Sequence, residues 1–268
     1  MSKINGKVAI LGAGNLGIAI GEGIVEKDLL DQSSVILSRR NLAHLDHLKA
    51  KGFSVTNNNT EAVKQSKYVI LGVQPKQLSS LTTEIKSSLT PNHVVISVIT
   101  GVKLEQLKAY VGDVPIIRAM PNTAIAIGES MTCLAADGAG KEYLPDVEKM
   151  FQALGLTHVI DESLMQAATV LGASGIAFFM RYLRAATQAG VQMGFHSDEA
   201  QKIAVQTAKG AACLVLENDQ HPEVEIDKVT TPQGCTIEGL NEMEHQGFSS
   251  SLIKGVMTSF HKIKNISS

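Results

Sequence analysis

The chain has 268 residues, enough for one large domain or two modest ones, and its 24 basic and 26 acidic side chains leave a formal charge of −2. That balance gives no electrostatic footprint for nucleic acid, and no basic stripe runs along the sequence. Cys133, Cys213 and Cys235 form no CxxC pair and the histidines no HExxH motif, which argues against a disulfide framework and a metal site. The longest uncharged apolar stretch, 167–180, is too short to span a bilayer, and the start carries no cleavable apolar segment, so a cytoplasmic protein without membrane contact is expected.

The first apolar run, Val8–Leu11, reads as a buried strand that leads straight into Gly12, Gly14 and Gly17 at GxGxxG spacing, with residues 18–26 as the helix beyond. In that setting the glycines have separate tasks: a tight turn, close approach of backbone to a pyrophosphate, and close packing of helix on strand. The helix N-terminus would hold the phosphates. The second strand, 35–37, ends in Ser38-Arg39-Arg40-Asn41, where an NAD site would place a carboxylate for the ribose 2′-hydroxyl. A hydroxyl and two guanidiniums suit a 2′-phosphate instead, so NADPH is the expected cofactor, with NADH as the alternative. A plainer reading makes Arg39 and Arg40 the start of a solvated helix.

Further strands are predicted at 54–55, 68–73, 94–99, 116–119, 132–135 and 158–160, alternating with amphipathic stretches as a parallel sheet with crossover helices requires. This is an α/β fold, a Rossmann-type dinucleotide-binding domain over residues 1–160. Ligands of such sheets lie beyond the carboxyl ends of the strands, so the turns at 72–75 and 99–101 should line the cofactor cleft. From 161 the strand signals stop, and helices are predicted around 164–193, 197–216, 224–229, 236–245 and 249–264. They make residues 161–268 an all-α domain, and Ser197 with Asp198 and Glu199 reads as a capped helix start. Small residues at 171–175 permit close approach by another backbone, from a subunit, a substrate or the same bundle.

Three further segments make the chain resemble 1-pyrroline-5-carboxylate reductase, the family of the last step of proline biosynthesis, nearly end to end. They are Ile117-Arg118-Ala119-Met120-Pro121-Asn122-Thr123, the small-residue helix 171–178 and, most specific, Asp227-Lys228-Val229-Thr230-Thr231-Pro232-Gln233-Gly234-Cys235-Thr236-Ile237-Glu238-Gly239-Leu240. The resemblance implies hydride transfer from NADPH to the C=N bond of 1-pyrroline-5-carboxylate, giving L-proline. It implies cofactor contacts at Gly12, Gly14, Asn15, Leu16, Ser38, Asn59, Val73, Gln74, Pro75 and Thr100, and substrate contacts at Glu162, Gly234, Cys235 and Thr236. Thr236 would offer its hydroxyl to the substrate nitrogen, and N–H groups of Gly234, Cys235 and Thr236 would face the substrate carboxylate. The residues alone explain Thr236 equally well as a helix cap, and Glu162 as a favourable charge at a helix start.

Four positions depart from the family pattern. Gln74 stands where lysine is usual, Ala124 and Ile176 where proline is usual, and Gln233 in place of the first glycine of Pro-Gly-Gly. Rival readings are a reductase of similar build for another small imine or hydroxyacid, and a catalytically silent nucleotide sensor. An alanine- and glycine-rich helical half leaves apolar surface to cover, so a homodimer or higher homo-oligomer is expected.

Overall fold

In a computed structural model describing residues 3–266, the eight apolar runs form one sheet in the order β3-β2-β1-β4-β5-β6-β7-β8. The strands are β1 (Val8–Leu11), β2 (Val35–Ser38), β3 (Ser54–Thr56), β4 (Tyr68–Leu71), β5 (Val94–Ser97), β6 (Ile116–Met120), β7 (Ser130–Ala136) and β8 (Gly155–Val159). β1, β2, β4 and β5 are buried along their whole length because helices cover both faces. Side chains alternate between two apolar cores. Ile10, Ile70 and Ile96 join Ile20, Ile24 and Phe151 in one, and Leu11, Val69 and Val95 join Val63, Ile85 and Leu107 in the other.

The crossover helices are α1 (Asn15–Glu26), α2 (Asp46–Ala50), α3 (Asn59–Lys64), α4 (Leu78–Ile85), α5 (Leu104–Val111) and α6 (Leu144–Gln152). The direction of one strand differs from the expected parallel sheet. β7 runs antiparallel to β6, with Met120 opposite Cys133, whereas every other strand pair is parallel. The connection from 121 to 129 holds only a 3-10 segment, Thr123–Ile127, and is too short for a crossover helix. The predicted strands 68–73 and 94–99 end early, at Leu71 and Ser97, and their last residues turn out of the ladder.

After β8 the chain is helical: α7 (Met165–Ala168), a π turn (Thr169–Ser174), α8 (Gly175–Gln192), α9 (Ser197–Asn218), α10 (Pro222–Val229), α11 (Cys235–His245) and α12 (Phe248–Ile266). Two compact units result: residues 1–174 with 260–268, and residues 175–259. In the second, α8 packs on α9 where Gly190 sits so close to Ala200 that an added Cβ would lie 2.7 Å from the alanine Cβ. Ser197 is not the cap of α9. His196 takes that position, and its N–H donates to the Glu199 carboxylate at 3.0 Å.

Few side chains of the second unit are buried, and Met180, Met193 and Leu216 are 61%, 74% and 66% exposed. The helical run from Glu162 to Gln192, continuous through its π turn, is long and apolar enough by length and composition to cross a membrane. It is longer than the uncharged stretch seen in the sequence because Arg181 and Arg184 lie inside it.

Gly155 adopts φ +136°, and a Cβ there would fall on the backbone of Ser130, its partner in the β7–β8 ladder. Gly155→Ala is expected to cost about 1–3 kcal/mol from backbone conformation alone. Urea denaturation checks it, and a smaller loss would mean that β8 shifts freely.

Candidate active site

The loop after β1 assigns each glycine a distinct constraint. Gly12 has φ +96°, and a Cβ there would lie 2.8 Å from the Gly72 carbonyl and the Val73 side chain. Gly17, in the first turn of α1, faces Ile10 and the Gly12 carbonyl, each 3.0 Å from where a Cβ would be. Gly14 caps α1 and has open space where its side chain would stand. An anion can therefore approach this backbone. The first helical bond of α1 runs from the Ile18 N–H to the Gly14 carbonyl at 2.8 Å. The N–H groups of Asn15, Leu16 and Gly17 have no earlier turn to bond and suit a pyrophosphate.

The end of β2 is tied to this loop, since the Ser38 carbonyl accepts from the N–H groups of Gly12 and Ala13 at 3.0 and 2.9 Å. Arg39 donates from its guanidinium to the Ala13 carbonyl at 3.3 Å, and Arg40 is exposed beside it. The buried Ser38 hydroxyl donates to Asn59 Oδ1 at 2.6 Å, while Asn59 Nδ2 donates to Glu84 at 3.0 Å. Glu84 escaped the sequence reading, for nothing in α4 marks it as facing α3. Val73, Gln74 and Pro75 follow β4, and Thr100 follows β5. All the candidate cofactor residues thus lie on one unit, at or just beyond the carboxyl ends of β1, β2, β4 and β5 and the start of α3.

Glu162 lies on the same unit, beside a cavity of about 860 Å³ that Gly101, Lys103, Leu104 and Arg118 also line. Its Oε1 accepts from Arg118 at 2.9 Å and from the Leu104 N–H, the first of α5, at 2.6 Å. Next to it, a hydrogen bond from Ser163 holds the Asp161 carboxyl below its ordinary range. The Arg118 link was missed in the sequence. A charged residue amid Ile116-Ile117 and Ala119-Met120 was its signal.

Gly234, Cys235 and Thr236 belong to the helical unit. Gly234 is the N-cap of α11, so Cys235 and Thr236 are its first two residues and Thr236 is not the cap. No bond to the Thr236 hydroxyl occurs among the described residues. A Cβ at Gly234 would crowd the Thr231 hydroxyl and lie 3.0 Å from the Thr231 carbonyl, so glycine suits this position. Gln233 takes φ +60°, a left-handed conformation that costs a non-glycine residue about 1 kcal/mol.

Residues 162–266 match the family model for pyrroline-5-carboxylate reductase dimerisation, and residues 7–101 match that for NADP oxidoreductase, coenzyme F420-dependent. The chain is 44% identical to pyrroline-5-carboxylate reductase 2 of Dictyostelium discoideum, over 97% of its own length and 93% of that protein's. It belongs to the pyrroline-5-carboxylate reductase family. It is also 49% identical to pyrroline-5-carboxylate reductase 1 of the same organism, over 97% of its length, though it spans only 49% of that relative. A solved pyrroline-5-carboxylate reductase from Coxiella burnetii superposes with TM-score 0.93 at 27% identity, covering 99% of this chain and all of that one.

Of the departures from the family pattern, Ala124 has a local explanation, and nothing in the structure explains Gln74 or Ile176. The Ala124 N–H donates to Asn122 Oδ1 at 2.9 Å, a bond that proline lacks. Ile176 is the second residue of α8, where it continues the helix out of the π turn. Gln74 is exposed and leads into a 3-10 segment begun by Pro75.

Proposed function

We propose that the chain reduces 1-pyrroline-5-carboxylate to L-proline with NADPH, as a cytoplasmic homo-oligomer. Similarity to a reductase of that name along 97% of the chain carries the reading, together with a turn at 230–236 that opens α11 on free N–H groups. The bound cofactor supplies a hydride to the C=N carbon. The protein supplies alignment and electrostatics. Gly12, Gly14 and Gly17 with the start of α1 hold the pyrophosphate, and Ser38, Arg39 and Arg40 take the 2′-phosphate. Val73, Gln74, Pro75 and Thr100 border the nicotinamide end. At the start of α11, the N–H groups of Cys235 and Thr236 take the substrate carboxylate, the Gly234 N–H being already donated to the Thr231 carbonyl at 2.9 Å, while the Thr236 hydroxyl offers its proton to the ring nitrogen. Glu162 completes the substrate contacts.

The apolar surface of the helical unit is covered by a second copy of the chain rather than by lipid. Two features support this: the dimerisation model matches 162–266, and Arg181 and Arg184 interrupt the apolar helix.

NADPH oxidation should be seen with pyrroline-5-carboxylate in preference to other cyclic imines and 2-oxo acids. Silence with the first and turnover with another would overturn the named substrate. Alanine at both Arg39 and Arg40 should raise the KM for NADPH by about tenfold, corresponding to about 1.4 kcal/mol of lost binding, and change that for NADH far less. Equal effects would remove the 2′-phosphate role. Thr236→Ala should lower kcat by about 100-fold, the scale of a lost proton donor, while NADPH affinity holds. An unchanged rate refutes that role. Sedimentation should give a species larger than one chain at micromolar concentration, and a monomer alone would count against the oligomer.

A further inference from the structure

Arg118 is 4% exposed in the middle of β6, and its Nε is buried with no partner among the described residues. A buried cation with an unmet donor is a poor stabilising device, since an apolar side chain of similar volume at both ends of such a pair is often as stable. Among the described residues its one ion pair is with Glu162 Oε1, which the first N–H of α5 also holds. No bond to Glu162 Oε2 occurs among the described residues. That oxygen is the part of the carboxylate left to face a ligand, and the glutamate side chain is 29% exposed beside the cavity.

We propose that Arg118 is a positioning residue that fixes Glu162 and cancels its charge, so that a substrate carrying its own carboxylate can approach. The inference rests on the proposed reduction of pyrroline-5-carboxylate. Two anions repel, and in a partly dry cavity that repulsion is large unless a cation sits against one of them. Arg118 supplies that cation from the strand side, and the positive end of α5 adds to it. The same oxygen joins Glu162 to the segment that follows Thr100 and Gly101. Substrate and cofactor contacts on this unit therefore share one support.

The test is steady-state kinetics on the full-length wild type, Arg118→Met, Arg118→Lys, Glu162→Gln and the Met/Gln double variant, with NADPH affinity titrated separately. Arg118→Met should raise the KM for pyrroline-5-carboxylate by about tenfold or more, as misplacement of a binding group does, with the NADPH Kd within about twofold. Added salt should lower that raised KM, because it screens the exposed carboxylate. Arg118→Lys should recover part of the loss by restoring the charge without the planar fork. In the Glu162→Gln background Arg118→Met should cost less than about twofold, the non-additivity of residues that act as a pair.

Equal costs in both backgrounds would overturn the proposal. So would an NADPH Kd that rises together with the KM, or an Arg118→Met enzyme with unchanged KM. If the wild type itself does not reduce pyrroline-5-carboxylate, the functional reading falls and this inference falls with it. A wild type that turns over beside a silent Arg118 effect removes this inference alone.

Discussion

Every buried backbone group in a sheet covered on both faces must be paired, and that constraint organises the sheet-bearing unit. The inner strands are buried along their whole length and mostly apolar, which leaves little room for polar side chains inside them. Chemistry is pushed to the strand ends. There the chain leaves the ladder after Leu11, Ser38, Leu71 and Ser97, and the strand ends and loops can present N–H groups, hydroxyls and guanidiniums to a ligand. Gly12 shows the tolerance involved: its turn is packed so tightly on Gly72 and Val73 that one methyl group would not fit.

Arg118 is the exception that proves informative. It stands inside the sheet, charged and only partly satisfied, and it reaches the one carboxylate that sequence resemblance assigns to substrate. Breaking such a buried pair on one side leaves an uncompensated charge, which costs far more than the pair contributes. The fold thus makes Arg118 and Glu162 interdependent, whatever their individual worth.

The helical unit obeys a different rule. Its helices carry apolar faces that its own packing leaves in the open, and α8 with α9 buries little beyond Thr187, Gly190 and Ala200. Isolated helices gain most of their stability from buried faces, so such a unit needs a covering surface. The match of 162–266 to a dimerisation model agrees with that need.

Strand positions, the dinucleotide loop and the onset of the helical region were legible in the sequence, because periodicity and glycine spacing are local signals that burial only reinforces. The family was legible too, from the segment ending in Leu240. Other features depend on which distant groups meet. The reversed direction of β7 followed from a connection too short for a crossover, and the left-handed Gln233 from the turn that brings Gly234 against Thr231. The cap of α11 moved to Gly234, which freed Thr236 from a structural explanation that the residues alone favoured equally. The bonds from Arg118 and Leu104 to Glu162 cross 44 and 58 residues of chain, and no spacing rule reaches so far. Sequence by itself determined the elements and the kind of ligand their ends can hold; tertiary structure alone decided which charges are paired, because pairing is set by distance in space.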